Sequence, residues 1–187
     1  TPLSALALGE LAGRAGVPAG VINILTADST NSIEIGKVLC DSPVVRHLSF
    51  TGSNEVGRIL MSQCAPTVKK VALELGGHAP FIVFEDADID AAVTGAMFAK
   101  YRNAGQACVA ANRFYVHKKV HDQFVEKFAL ATKAIKVGSG LEQGVTQGPL
   151  IDDQALAKVQ KHIADAISKG AKVVTGGKVA NQGGTFF

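Results

Sequence analysis

Apolar residues recur along this chain with two different periods, one helical and one extended. Leu3, Leu6, Leu8, Leu11 and Ala15 form a helical face behind Thr1, a capping residue, and Pro2, suited to the first helical position; Gly16 and Pro18 close the run. Residues 20–25 then read as a short buried strand, and a polar patch over 26–32 leads into a helix around 33–39. Strands are predicted at 44–50, 68–75, 81–84 and 114–116, with helices over 55–65 and 87–101 between them. Phe124, Val125, Phe128 and Ala131 put a core-facing amphipathic helix over 120–135, and 156–167 repeats the pattern. Val173 and Val174 read as a further strand before a glycine-rich loop over 176–184. Strands alternating with helices at this spacing predict an α/β fold with a parallel, Rossmann-like sheet.

Composition narrows the class. The 187 residues are 47% hydrophobic, enough for a sizeable core. A net charge of +3 comes from scattered residues, with Lys69-Lys70 and Lys118-Lys119 as the adjacent basic pairs, so neither nucleic acid nor membrane is indicated as a partner. Three cysteines without a Cys-x-x-Cys and five unclustered histidines argue against a disulfide scaffold and against a metal site. No apolar run reaches membrane-spanning length and no basic-then-apolar leader is present, which makes the cytoplasm the default location. Both ends read as cut, at the helix start of Thr1-Pro2 and in the apolar Thr185-Phe186-Phe187, so a mitochondrial matrix origin stays open.

Chemistry concentrates between Glu74 and Cys108. Glu74-Leu75-Gly76-Gly77 follows an apolar run, and Asn103-Ala104-Gly105-Gln106-Ala107-Cys108 closes the stretch, so a lone carboxylate and a lone thiol each stand beside glycines. Glycine lets the main chain approach a ligand closely. A thiolate is a nucleophile, and a carboxylate can serve as base for the thiol or for a water that attacks a covalent intermediate. The plain alternatives are a small buried cysteine and a solvated glutamate. Against them, Glu74 sits between two leucines and Cys108 follows a polar segment. Upstream, Phe50-Thr51-Gly52-Ser53 falls where strand should give way to helix. There, backbone N–H groups and the Ser53 hydroxyl can face a phosphate, although an ordinary turn would look the same.

These three motifs, Phe50-Thr51-Gly52-Ser53, Leu73-Glu74-Leu75-Gly76-Gly77 and Arg102-Asn103-Ala104-Gly105-Gln106-Ala107-Cys108, together resemble the aldehyde dehydrogenase superfamily. Their neighbours, residues 79–84 and 147–152, look most like its succinate-semialdehyde dehydrogenase branch. The resemblance implies oxidation of an aldehyde, succinate semialdehyde in that branch, with NAD or NADP. Cys108 would be the nucleophile and Glu74 the group that activates the hydrolytic water. It implies that Gly52, Ser53, Val56, Gly57 and Leu75 contact the cofactor, with Ser53 on the pyrophosphate and Val56 near the adenine. Residues 1–76 would be the C-terminal part of the dinucleotide-binding domain and 77–187 the N-terminal part of the catalytic domain. The oxyanion would be held by the Cys108 N–H and by an asparagine that family order places before residue 1, so the isolated chain is expected to be inactive and the full-length protein a homo-oligomer, dimer or tetramer. Arg102 would hold the distal carboxylate of the substrate; as a bare residue it reads better as a cation that caps a helix end or faces solvent.

Two departures follow from the same resemblance. Residues 26–29, Thr-Ala-Asp-Ser, lack the glycine that relatives often carry near the adenine. Ala110 stands where several relatives have a second cysteine, which removes their disulfide switch. A cysteine hydrolase is disfavoured because no histidine stands in a motif with Cys108, and His78 is assigned no role. A non-catalytic relative would not need both Glu74 and Cys108.

Overall fold

The structure, a computed structural model, describes residues 2–187, so the capping expected of Thr1 lies outside the described residues. The chain divides into two compact units, one ending at Leu75 and the other running Gly76–Phe187.

In the first unit, α1 (Pro2–Arg14) and α2 (Asn31–Asp41) precede β1 (His47–Thr51), α3 (Asn54–Cys64) and β2 (Lys70–Glu74). β1 and β2 run parallel, with His47 opposite Lys70 and Thr51 opposite Glu74, so both strands end at the same edge. The helix α3 is the crossover that a parallel pair requires. Its inner face, with Leu60 and Cys64, meets Cys40 of α2 and Leu48 of β1. Cys40 and Cys64 touch, Sγ to Sγ 3.6 Å. Burial, and then the bond to Cys64, push the Cys40 thiol up to about 11, so it stays protonated at neutral pH. Lys69 is also buried, and its ammonium donates to the carbonyls of Ser42, at 2.9 Å, and Val45. Those bonds tie the end of α2 to the start of β2, and a buried cation needs such acceptors.

Three expectations are corrected here. Residues 20–25 form no strand, and Val21, Ile22 and Leu25 are exposed. A strand is defined by its hydrogen-bonded neighbour, and among the described residues none pairs with this run. The strand expected at 44–50 begins only at His47, and Val68, left-handed at φ 50°, delays the next one to Lys70. The apolar face of α1 exists, but Leu3, Leu6, Leu8 and Leu11 all remain exposed.

The second unit runs through β3 (Ala79–Val83), α4 (Ile89–Tyr101), β4 (Ala111–Val116), α5 (His121–Lys133) and α6 (Asp153–Ser168). β3 and β4 are again parallel around a crossover helix, with a register shift at Ala79/Pro80. Asp88 caps α4, accepting from Asp90 N at 2.9 Å and Ala91 N at 3.1 Å. The core is aromatic: Phe124 is fully buried, and Phe81, Phe114 and Phe128 pack around it, with Phe114 and Phe128 centroids 5.3 Å apart. The amphipathic face of α5 therefore serves as its periodicity predicts. That of α6 does not, since no residue of that helix is buried. Val173 and Val174 are exposed coil, for the same want of a ladder partner among the described residues as residues 20–25.

Candidate active site

At the carboxyl edge of the first sheet the chain turns from β1 into α3. Gly52 donates its N–H to the carbonyl of Glu74 at 3.0 Å, which fastens the turn to the end of β2. Ser53 is the N-cap of α3: its hydroxyl oxygen accepts from Val56 N at 3.2 Å, and its carbonyl accepts from Gly57 N at 3.0 Å. The hydroxyl proton is still available to an acceptor outside the helix. Gly57 is buried in the first turn of α3 under the Leu75 side chain; a β-carbon there would fall 2.8 Å from Leu75 Cδ2. Gly52, Ser53, Val56, Gly57, Glu74 and Leu75 thus converge on one end of a parallel pair. In open α/β sheets that end, together with a helix N-terminus, is where anionic ligands bind. Glu74 is the last residue of β2, and it is exposed.

The loop after α4 is built differently. Arg102 leaves the helix with an extended ψ of 127°, its N–H still bonded to the Phe98 carbonyl. Asn103, Ala104 and Gly105 then take left-handed conformations in succession, with φ of 54°, 56° and 73°. For Ala104 this costs about 1 to 2 kcal/mol, and less for Asn103, whose side chain can bond locally. A clasp holds the loop: Asn103 Nδ2 donates to the Gln106 carbonyl at 3.1 Å, and Gln106 Nε2 returns a bond to the Asn103 carbonyl at 3.2 Å. Gln106 Oε1 also accepts from Ile151 N at 2.9 Å. A turn closed by Ala110 N to the Ala107 carbonyl, 3.1 Å, then presents Cys108 with its thiol exposed, while Ala110 behind it is buried. The Cys108 carbonyl presses so closely on Gly77 that a β-carbon at that position would overlap it.

Two basic side chains flank this loop. Lys100, half-buried, donates to Asn112 Oδ1 at 2.8 Å, and burial lowers its pKa from the usual lysine range. Arg102 is exposed and lies over the Phe98 ring, 5.4 Å from its centroid.

Sequence reasoning missed Gly77 as the seat of the Cys108 carbonyl, Gln106 as the clasp, and Phe98 beneath Arg102. The last alone had a readable signal, since residues four apart on a helix are neighbours. The Asn103 side-chain amide is engaged by the Gln106 carbonyl. Among the described residues no group of histidines, cysteines and carboxylates could hold a metal, and no helix is long and apolar enough to cross a membrane.

Two parallel strand pairs, each bridged by a helix, and a glycine-serine turn at one sheet edge define a chain of the Rossmann-like α/β class. The sequence pattern of the aldehyde dehydrogenase family matches residues 1–187, and the chain belongs to that family. It is 60% identical over 187 residues to the glutarate-semialdehyde dehydrogenase of Pseudomonas aeruginosa and 60% identical to the NADP(+) succinate-semialdehyde dehydrogenase GabD of Escherichia coli. The crystal structure of an Escherichia coli NADP dependent enzyme superimposes with a TM-score of 0.96 at 60% identity. Each match covers all of this chain and 38% of the relative's length.

Proposed function

We propose that the full-length protein oxidises an aldehyde bearing a distal carboxylate, succinate semialdehyde in the first instance, to the corresponding acid with NAD(P). The first unit is then the C-terminal part of its dinucleotide-binding domain and the second the beginning of its catalytic domain. The observation that carries the reading is an exposed thiol on a turn fixed from several sides, with an uncommitted arginine on the same loop.

The cofactor fits the residues present. A turn ending in a helix N-terminus and a serine with a proton to donate supply hydrogen-bond donors for a pyrophosphate. Gly52, Ser53, Val56, Gly57 and Leu75 would hold it. A bound nicotinamide would supply the hydride acceptor for the oxidation at Cys108.

Cys108 acts first, its thiolate sulfur bonding to the aldehyde carbon while the oxygen gains negative charge beside the Cys108 N–H. Glu74 acts last, taking a proton from the water that attacks the thioester, so that carboxylic acid and free thiol are released. Arg102 binds the far carboxylate with two parallel hydrogen bonds, which sets the distance from anion to reacting carbon. The named substrates of the two relatives, succinate and glutarate semialdehyde, both carry such a carboxylate, one methylene apart.

In full-length protein, Glu74→Gln is expected to give a burst of reduced cofactor followed by turnover slowed about a hundredfold or more, because glutamine cannot accept the proton. Cys108→Ala is expected to give no burst. A steady-state rate of Glu74→Gln equal to wild type would remove the base and with it this mechanism.

A further inference from the structure

We propose that Phe98 is a positioning residue for Arg102 and thereby helps select aldehydes that carry a distal anion; the inference rests on the reading of Arg102 as the carboxylate-binding group. The two residues are joined at two points. The Arg102 N–H bonds to the Phe98 carbonyl, and the guanidinium carbon lies 5.4 Å from the Phe98 ring centroid. Among the described residues Phe98 belongs to no buried cluster. The residue is 67% exposed and stands apart from the core around Phe81, Phe114, Phe124 and Phe128.

The Arg102 guanidinium is free in a way that Arg113 is not. Arg113 Nη2 donates to the His78 carbonyl at 2.6 Å and so fastens β4 to the start of β3. Among the described residues Arg102 has no carboxylate partner, and none of its side-chain N–H groups meets a protein acceptor. A cation at a helix end would ordinarily bond to the last carbonyls. Here the aromatic face takes that place. A guanidinium over a ring keeps its N–H donors for an anion while losing much of its side-chain freedom before the anion arrives. Phe98 itself is held by α4, whose opposite face is built into the core through Val93 and Ala96. The ring therefore transmits the position of a rigid helix to a long, flexible cation.

The test uses full-length enzyme with succinate semialdehyde and with butanal, an uncharged aldehyde of the same length. Phe98→Leu is expected to raise KM for succinate semialdehyde roughly three- to tenfold, the range of a cation–π contact, with kcat little changed and butanal kinetics unmoved. Phe98→Tyr restores the wild-type KM, because the ring face is kept. In an Arg102→Ala background, Phe98→Leu adds no further selective loss. Equal losses on both aldehydes, or none on either, would overturn the inference while a selective Arg102→Ala defect leaves the carboxylate reading standing. An Arg102→Ala variant that affects both aldehydes alike would instead bring down the carboxylate reading, and the role of Phe98 with it.

Discussion

The turn at Ser53 and the loop at Cys108 both place reactive or binding groups at the end of regular structure, and both depend on glycine, yet they are held by opposite means. At Ser53 the backbone is relaxed: an extended N-cap, a regular helix, and a close approach made by a side chain, Leu75 over Gly57. At Cys108 the backbone passes through three left-handed residues, two of them not glycine, and the close approach is made by main chain, the Cys108 carbonyl against Gly77. A side chain can rotate away from an intruding methyl; a carbonyl can move only with its loop. The Ser53 turn can thus give way locally, whereas the cysteine loop fixes one atom.

The largest effect should follow from breaking the rigid side of this pair. Gly77→Ala would put a β-carbon into the Cys108 carbonyl, and the turn that presents the thiol must shift to relieve it. Because displacement of a reacting group by about 1 Å can lower rates about a hundredfold, kcat/KM of full-length enzyme is expected to fall by about that factor, with cofactor binding retained. Activity within twofold of wild type would show that the loop gives as readily as a side chain, and the contrast would be lost.

How much of this was legible in the sequence differs between the same two regions. The Ser53 turn declares itself, since strand, glycine, capping serine and helix follow one another with local signals at each step. Asp88 before α4 and Asp152 before α6 are equally local. The Cys108 loop was recognisable by its residues but not by its shape. Asn103 is a residue type that tolerates the left-handed region, but nothing announces a second such residue at Ala104, which has no side-chain bond to favour one. The Gly77 contact and the Gln106 to Ile151 bond join positions far apart in the chain, which no window of sequence displays. The missing strands at residues 20–25 and 173–174 make the same point. Their composition is right for a strand, but pairing is a property of two segments, and the described residues supply only one. The Cys40 to Cys64 contact was unreadable for that reason as well.

On the adaptable side, Gly57→Ala is expected to do far less than Gly77→Ala. The added methyl meets only the tip of Leu75, which can turn aside, and alanine improves the helix by about 1 kcal/mol over glycine. The melting temperature should therefore hold. KM for the dinucleotide should rise about threefold, the effect of a few tenths to 1 kcal/mol where Leu75 covers the turn, with kcat unchanged. A hundredfold loss would mean that the two turns are equally rigid.

The smallest effect separates two roles that coincide in Ser53. As a cap, its oxygen accepts from Val56 N, and removing it in Ser53→Ala should lower stability by about 1 kcal/mol, seen as a lower denaturation midpoint. As a cofactor ligand, its proton would face a phosphate, and the same substitution should weaken dinucleotide binding by no more than a few-fold. Alanine alone cannot apportion the two, because loss of the cap also loosens the turn. Ser53→Asp can: aspartate caps as well as serine, so stability is expected to remain at the wild-type level, while a carboxylate in place of the hydroxyl repels a pyrophosphate and removes the donor. A stable Ser53→Asp variant with weakened cofactor binding, measured by titration, would assign the hydroxyl to the phosphate. Unchanged binding in that variant would leave Ser53 as the cap of α3 and nothing more, and the adaptable turn would then hold its ligand by backbone alone.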